Sequence, residues 1–220
     1  MEYYPAFLDI EGKLVVVIGG GRVAFRKVKS LLEAGAKCRV VSPVLHEGLV
    51  EFRDNGDIEY INDVFKEEYL DGAWLIVAAT NDPETQDRVF NAAQRNRIFC
   101  NVVDVPSRCS FIVPSVVKRG ALKIAISTSG LGPGLSKNIR KELEKQFPES
   151  ISQYIECVGK LRRLIINNLK NDDEKKRALK ILFDLKSAQC FIDGDKQGIR
   201  QWAKKIGGEE ALKIVRNYYG

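Results

Sequence analysis

The chain is poor in the residues that usually build metal centres and disulfide frameworks. Its 220 residues include a single histidine, His46, and five widely spaced cysteines that form no Cys-x-x-Cys pair. Structural zinc sites usually contain such pairs, and a disulfide framework usually has an even number of cysteines, so neither is indicated. His46 follows Pro43 in a polar stretch with no second candidate ligand beside it. We therefore expect no metal site built from the protein's own side chains.

Long apolar runs and secretion signals are missing as well. No segment is long or apolar enough to span a bilayer, and residues 1–5 lack the basic and apolar regions of a signal peptide. The 45% of hydrophobic residues is typical of a soluble globular protein. We therefore expect a cytoplasmic protein without a membrane partner, with room for one nucleotide-binding domain and a smaller second unit.

The charge of the chain is unevenly distributed. Residues 1–113 carry a net charge of −4, whereas residues 114–147 and 148–220 carry +5 each. This asymmetry indicates that the second half meets an anionic partner, and a polycarboxylate small molecule is a suitable one. Nucleic acid is a weaker candidate because no basic run with interleaved aromatics is present. Solvated lysines on helix faces would also account for the excess.

A glycine-rich turn is the strongest positive signal. Residues 15–18 form the apolar run expected of a strand that is covered on both faces, and Gly19, Gly21 and Ala24 follow in G-x-G-x-x-A spacing. The first glycine permits a tight turn, the second lets the backbone approach a pyrophosphate, and Ala24 lets the helix pack closely on the strand. The pattern predicts dinucleotide binding, and a tight turn without a ligand is the alternative.

An acidic residue is missing where NAD-binding domains usually carry one. About 20 residues after the glycines an Asp or Glu normally binds the adenosine ribose, and this chain has Ser42, Pro43 and Val44 there. Ser42 is able to bind a ribose hydroxyl, and the backbone of the next two residues can border the adenine. Arg22, in the glycine turn, is placed to accept a 2′-phosphate. The sequence favours NAD over NADP by a narrow margin.

Further apolar runs at residues 38–41, 74–79 and 98–103 predict an open α/β sheet. Asp104 ends the last run. Because ligands of such sheets bind outside the carboxyl ends of the strands, Asp104 is a candidate proton carrier or cation ligand. An Asx-type turn ahead of Pro106 explains its position equally well.

The second half begins with strand and loop signals and continues as helices. A strand at residues 122–126 runs into a loop able to bind an anion or act as a lid, formed by Ser127, Thr128, Ser129 and Gly130. The long exposed edge of this strand needs covering. Helical periodicity then predicts helices at residues 135–147, 151–168, 172–185, 196–206 and 209–218.

Five motifs, in order, resemble the precorrin-2 dehydrogenase and sirohydrochlorin ferrochelatase family. The motifs lie at residues 19–27, 78–82, 99–104, 110–115 and 127–130. The likeness runs through residues 1 to about 147. We expect a Rossmann-type α/β domain at 1–113, a small α+β dimerisation segment at 114–147 and a helical domain at 148–220. The pairing of two chains through the middle segment rests mainly on the family.

The resemblance implies NAD-dependent oxidation of precorrin-2 to sirohydrochlorin, in siroheme biosynthesis, by a homodimer. Some members also insert Fe²⁺ to give siroheme. Asp104 matches a functional aspartate of the family, which implies a role as general base or as ligand to the incoming metal. The polycarboxylate tetrapyrrole suits the basic second half. A non-catalytic dinucleotide-sensing module is the alternative function.

The expected site follows from these signals together. With the role that the resemblance implies for it, Asp104 is the expected catalytic residue, and Ser127, Thr128, Ser129 and Gly130 are expected to bind substrate. The residues expected to bind the cofactor, NAD, are Gly19, Gly20, Gly21, Arg22, Val23, Ala24, Ser42, Pro43, Val44, Ala79 and Thr80.

Overall fold

A computed structural model describes residues 3–218, which form two compact units divided between Val113 and Pro114. Within residues 3–218 no helix has both the length and the apolar character needed to cross a membrane. The first unit contains, in order, β1 (Leu14–Ile18), α1 (Arg22–Leu32), β2 (Lys37–Val41), α2 (Glu47–Asp54), β3 (Ile58–Ile61), β4 (Leu75–Ala78), α3 (Pro83–Arg95) and β5 (Phe99–Val102).

The first unit is built on a parallel sheet with strand order β3-β2-β1-β4-β5. This order is that of a Rossmann-type domain, and it reverses beside β1, which places the ligand crevice at the carboxyl ends of β1 and β4. The predicted α/β fold class is confirmed. β3 was not predicted, because the short stretch Ile58–Ile61 includes a glutamate and gives a weak apolar signal.

The hydrophobic core of the first unit lies on both faces of this sheet. Alternate residues of a strand point to opposite faces, so Val15 and Val17 pack with Ala24 and Val28 of α1 on one side. Val16 of the same strand belongs to the core on the other side, with residues of α3. The fully apolar run predicted for β1 follows from this double burial.

The second unit joins a β-hairpin to a bundle of helices. Its elements are β6 (Ser115–Arg119), β7 (Leu122–Ile126), α4 (Pro133–Gln146), α5 (Ile151–Asn168), α6 (Asp172–Leu182), α7 (Leu185–Asp193) and α8 (Lys196–Arg216). The rings of Tyr154, Phe191 and Trp202 contact one another in the helical core, which makes Trp202 a packing residue. Leu122 and Phe147 pack against the same core. The boundary expected at residue 147 stays a prediction.

The predicted C-terminal end of one helix was wrong. The helix expected at residues 172–185 stops at Leu182, and α7, which was not predicted, begins at Leu185. Asp184 is the cause, because its carboxylate accepts a hydrogen bond from the Lys186 N–H and so caps a new helix. The break expected between residues 206 and 209 is present as non-helical Gly207 and Gly208 within α8.

We predict that Leu161→Ala destabilises the second unit by about 3 kcal/mol. Leu161 is fully buried in the helical core, and its truncation loses transfer free energy and leaves a cavity. Urea denaturation followed by circular dichroism measures the free energy of unfolding. Leu185→Ala is the matched control, since Leu185 is 76% exposed. An equal loss in both variants would contradict the packing described.

Candidate functional site

The glycine turn after β1 lies in close contact with two neighbouring loops. A Cβ on Gly19 would overlap the backbone of Ala79, and Gly19 has a positive φ of 112°. A Cβ on Gly20 would overlap the carbonyl oxygen of Val44 and lie 2.7 Å from the Ser42 hydroxyl. Both glycines are therefore required by the packing of the protein itself.

Gly21 differs from its two neighbours. Its φ is −82°, a value open to any residue, and a Cβ placed there would meet no protein atom within 4 Å. Nothing within the described residues therefore requires a glycine at this position. The space beside Gly21 remains open for a ligand, which argues against the alternative of a turn that is tight for steric reasons alone.

The N-terminus of α1 is suited to binding an anion. The first N–H groups of a helix have no carbonyl partner within the helix. Here no side chain caps them, and the first turn, which includes Arg22, Val23 and Ala24, holds no acidic residue. Arg22 is exposed and Ala24 is fully buried against β1. These N–H groups can cradle a pyrophosphate, as expected of a dinucleotide-binding turn.

The loop after β2 is shaped by Ser42. This side chain is 8% exposed, and its hydroxyl donates a 2.8 Å hydrogen bond to the Val44 carbonyl. The hydroxyl is thus engaged within the loop. Pro43 and Val44 are exposed, Val44 by 74%. The loop offers an apolar surface rather than a carboxylate at the expected place of the adenosine.

The loop after β4 lies on the other side of the turn. Ala79 donates its N–H to the Ile18 carbonyl at 2.7 Å, which continues the sheet by one residue. Thr80 is half-buried, and its carbonyl accepts a hydrogen bond from the buried Gln86 side chain. The predicted cofactor-binding residues of unit one therefore meet at the carboxyl ends of β1, β2 and β4.

Asp104 lies two residues beyond the end of β5, so the expectation that it ends the strand was slightly wrong. Its φ is +62°, a left-handed conformation that aspartate tolerates better than most residues. The side chain is exposed, and it makes no hydrogen bond or ion pair within residues 3–218. The Asx-type turn allowed by the sequence is therefore not formed.

The loop that carries Asp104 returns to the strand from which it leaves. Ser110 donates its N–H to the Cys100 carbonyl, and the Cys100 N–H donates to the Ser110 hydroxyl, both at 2.8 Å. Asn101 donates to the Phe111 carbonyl at 3.0 Å. Inside the loop, the Cys109 thiol donates to the Val102 carbonyl at 3.2 Å. These hydrogen bonds fix the backbone of the loop that carries Asp104.

Lys27 lies within electrostatic reach of Asp104, and the sequence alone gave it no role. It is half-buried on α1, and burial lowers the pKa of its ammonium below the ordinary value. Arg26 lowers this pKa further, whereas interaction with Asp104 and Cys109 raises it. Burial also raises the pKa of the Cys109 thiol, while Lys27 opposes that shift. The only available signal was the position of Lys27 one turn after Ala24, on the side of α1 that faces the sheet.

The loop of Ser127, Thr128, Ser129 and Gly130 belongs to the second unit. The Thr128 hydroxyl lies 3.1 Å from that of Ser136 and accepts the Gly132 N–H at 3.1 Å. Ser127 and Ser129 are exposed, and Ser129 has a φ of +52°. Thr128 thus fixes the start of α4, and the two serines remain accessible.

His46 has a structural role in the first unit. Its Nδ1 accepts the Gly48 N–H at 3.1 Å and caps α2, and its ring stacks on that of Phe25 at 5.2 Å. Across residues 3–218, no group of three or more His, Cys, Asp or Glu side chains is placed to hold a metal ion.

Two family models match the chain. Residues 6–115 match a family described as putative NAD(P)-binding, and residues 119–146 match one described as sirohaem biosynthesis protein, central. This chain belongs to the siroheme synthase and precorrin-2 dehydrogenase family. Its first unit is the NAD(P)-binding domain of that family.

Individual members of the siroheme synthase and precorrin-2 dehydrogenase family agree with this assignment. The chain is 37% identical over 212 residues to siroheme synthase 3 of Aeromonas hydrophila subsp. hydrophila, covering 96% of this chain and 45% of the relative. It is 38% identical to siroheme synthase 1 of Serratia proteamaculans, covering 88% of this chain and 41% of the relative. The chain thus spans less than half the length of these curated relatives.

A solved structure of the family has the same fold. SirC, a precorrin-2 dehydrogenase, superimposes with a TM-score of 0.77 at 29% sequence identity. The match covers 92% of this chain and the whole of SirC. The likeness therefore extends through both units.

We predict that Gly21→Ala and Gly20→Ala separate cofactor binding from folding. Gly21→Ala should keep the wild-type melting temperature, since its Cβ meets no protein atom, and should weaken NAD⁺ binding at least tenfold by filling the space beside the turn. Gly20→Ala should lower the melting temperature, because its Cβ overlaps the Val44 carbonyl. Calorimetric titration and thermal denaturation measure the two effects. Unchanged NAD⁺ affinity in Gly21→Ala would contradict this assignment.

Proposed function

We propose that this chain catalyses the NAD-dependent oxidation of precorrin-2 to sirohydrochlorin, a step of siroheme biosynthesis. The observation that carries the proposal is that one sheet has, at the carboxyl ends of its strands, both an open glycine turn and the exposed Asp104, whose carboxylate makes no hydrogen bond or ion pair within residues 3–218. The similarity to SirC, over its whole length, supports the same reaction.

The residues of the glycine turn fit a dinucleotide. Gly21 leaves the approach to the turn open, and the uncapped N–H groups at the start of α1 offer donors for a pyrophosphate. Ser42, Pro43 and Val44 would border the adenosine, and Ala79 and Thr80 would lie along the opposite side. Bound NAD⁺ supplies the acceptor for a hydride.

Asp104 acts as the general base in this proposal. Oxidation removes a hydride and a proton from precorrin-2, so a base must take the proton as the hydride leaves. The carboxylate of Asp104 is exposed and has no hydrogen bond or ion pair within residues 3–218. Its backbone is fixed by the contacts between Cys100 and Ser110. Lys27 lies within electrostatic reach, and its interaction with Asp104 raises the pKa of the lysine ammonium against the effect of burial.

The charge of the chain suits a polycarboxylate tetrapyrrole. Residues 114–220 carry the whole positive excess, against −4 in residues 1–113. A positive surface raises the local concentration of an anionic substrate and speeds its encounter with the protein. Ser127, Ser129 and Gly130, which are exposed beside the basic helix α4, are the substrate-binding residues in this proposal.

We also propose that two copies of the chain pair through residues 114–147. The sheet of β6 and β7 has two strands, and each has an edge without a strand partner among residues 3–218. Exposed apolar side chains lie in the same segment, at Val116, Leu131, Leu135 and Ile139. A homodimer would cover both features. Fe²⁺ insertion, which the family resemblance also implies, stays a prediction.

We predict that Asp104→Asn lowers the rate of NADH formation at least about 100-fold, the range lost with a general base. The assay is anaerobic, with precorrin-2 and NAD⁺, and follows NADH absorbance and the sirohydrochlorin spectrum. The NAD⁺ dissociation constant should stay within twofold of wild type. Asp57→Asn, an exposed aspartate before β3, is the control. Wild type that binds NAD⁺ but forms no NADH would refute the enzymatic proposal and favour the dinucleotide-sensing module.

We predict that Leu135→Asp converts a dimer into a monomer. Leu135 is 58% exposed on α4, and pairing of two chains through this segment would bury the new carboxylate at a large cost in free energy. Size-exclusion chromatography with light scattering gives the mass of both forms. Leu185→Asp, on an exposed position of α7, should leave the mass unchanged. A monomeric wild type would rule out the pairing.

A further inference from the structure

Lys27 lies at the edge of the buried face of α1. Ala24 and Val28, which flank it on that face, are fully buried in the core of the first unit. Arg26 and Lys29 of the same helix are exposed, whereas Lys27 is half-buried. A lysine in such a position packs its aliphatic stem on apolar surface and presents its ammonium at the rim of that surface.

The loop that carries Asp104 lies on the side of the sheet that α1 covers. Val103 and Phe111, at the two ends of this loop, pack against the same hydrophobic core as Val28 of α1. Lys27, which directly precedes Val28, interacts electrostatically with Asp104. The packing of the loop and this interaction therefore place the lysine and the aspartate on one side of the sheet.

Asn101 anchors the loop on this side. Its strand neighbours Cys100 and Val102 belong to the core on the opposite face, so the Asn101 side chain points to the face covered by α1. Its amide donates to the Phe111 carbonyl at 3.0 Å and lies 3.5 Å from the Cys109 sulfur. The position of the loop relative to α1 is therefore set by buried contacts.

The Lys27 ammonium and the Asp104 carboxylate do not pair with each other. Within residues 3–218 neither group takes part in a hydrogen bond or an ion pair. The Cys109 sulfur, which also interacts with Lys27, lies 3.2 Å from the Val102 carbonyl and 3.3 Å from that of Val105. Burial raises the pKa of this thiol, so it stays neutral and supplies no counter-charge. Lys27 is therefore a half-buried cation to which no anion of the described residues is bound.

A cation in this state is unfavourable for the fold and favourable for binding. Burial disfavours the charged form of Lys27, and the charge of Arg26 acts in the same direction, so the pKa of the ammonium is lowered. A polar group withdrawn from water without a hydrogen-bond acceptor costs stability. A ligand with an anionic group would supply that acceptor. Stability lost at one residue in this way is typical of functional sites.

We propose that Lys27 binds a carboxylate side chain of the tetrapyrrole substrate and so holds the substrate beside Asp104. Every ring of this substrate bears carboxylate side chains, so one of them lies close to whichever carbon loses its proton to the base. An ammonium and a carboxylate form a charge-assisted hydrogen bond, which is stronger than a neutral one. The inference rests on the proposed function, and it adds a substrate-binding residue from the first unit.

The cofactor is a less suitable partner for Lys27. The free N–H groups that would hold its pyrophosphate belong to the first turn of α1, which begins at Arg22. Lys27 lies more than one turn further along the helix, a distance of about 7 Å, and interacts with the loop of Asp104. We therefore expect the loss of Lys27 to affect the substrate and not NAD⁺.

Lys27→Met tests the inference, since it removes the charge and keeps an unbranched apolar side chain. The anaerobic assay with precorrin-2 and saturating NAD⁺ gives kcat and the KM for precorrin-2. We expect this KM to rise roughly tenfold, as for the loss of a hydrogen bond between charged groups. The value of kcat should stay within about threefold of wild type, because such a contact is made in both ground state and transition state.

Two further measurements do not depend on turnover. Sirohydrochlorin, the product of the proposed reaction, is titrated into the full chain without NAD⁺, and Lys27→Met should weaken its binding by a similar factor. Thermal denaturation should give Lys27→Met a melting temperature equal to or above that of wild type, because an unsatisfied half-buried charge is removed. A lower melting temperature would assign Lys27 a structural role and overturn the inference.

Lys29→Met is the matched control, since it removes the same charge from an exposed position of α1. It should leave the KM and the sirohydrochlorin affinity within about twofold of wild type. The inference is overturned if Lys27→Met leaves both values unchanged, if Lys29→Met changes them equally, or if Lys27→Met weakens NAD⁺ binding by the same factor. A wild type that forms no NADH would overturn the proposed reaction instead, and the sirohydrochlorin titration would still decide on Lys27.

Discussion

The site depends on the close approach of three backbone segments at one edge of the parallel sheet. Gly19 lies against Ala79 and Gly20 against Val44, and neither contact leaves room for a Cβ. The parallel register of β1 with both β2 and β4 ends these strands at the same level and creates the contacts. The turn therefore positions both loops that would flank a dinucleotide, and the cofactor site shares its packing with the core.

The elements that depend on residues close together in the chain were predictable from the sequence. Apolar runs and glycine spacing were enough for β1, β2, β4 and β5 and for the turn. The requirement for Gly20 was not visible, because the G-x-G-x-x-A pattern leaves that position free and the contact with Val44 comes from another loop. The nearness of Lys27 to Asp104 likewise depends on how α1 lies over the sheet. The start of α7 was missed although Asp184 is a good capping residue.

Electrostatics act at two ranges in this molecule. The surplus of positive charge in residues 114–220 is a long-range feature that attracts anions from solution and weakens as salt screens it. The interaction of Lys27 with Asp104 and Cys109 is a short-range feature inside a unit whose sequence is acidic overall. The proposed attraction of the substrate and the local charge beside Asp104 therefore depend on different parts of the sequence.

The loop that carries Asp104 is closed at its base by the paired hydrogen bonds between Cys100 and Ser110. A residue on an open, mobile loop would have to be ordered each time a substrate arrives, and that ordering would subtract from the binding free energy. The Asp104 backbone is ordered in advance by a fully buried strand residue. If Asp104 is the base, as proposed, the entropic cost of ordering its backbone is met during folding of the chain, before any ligand binds.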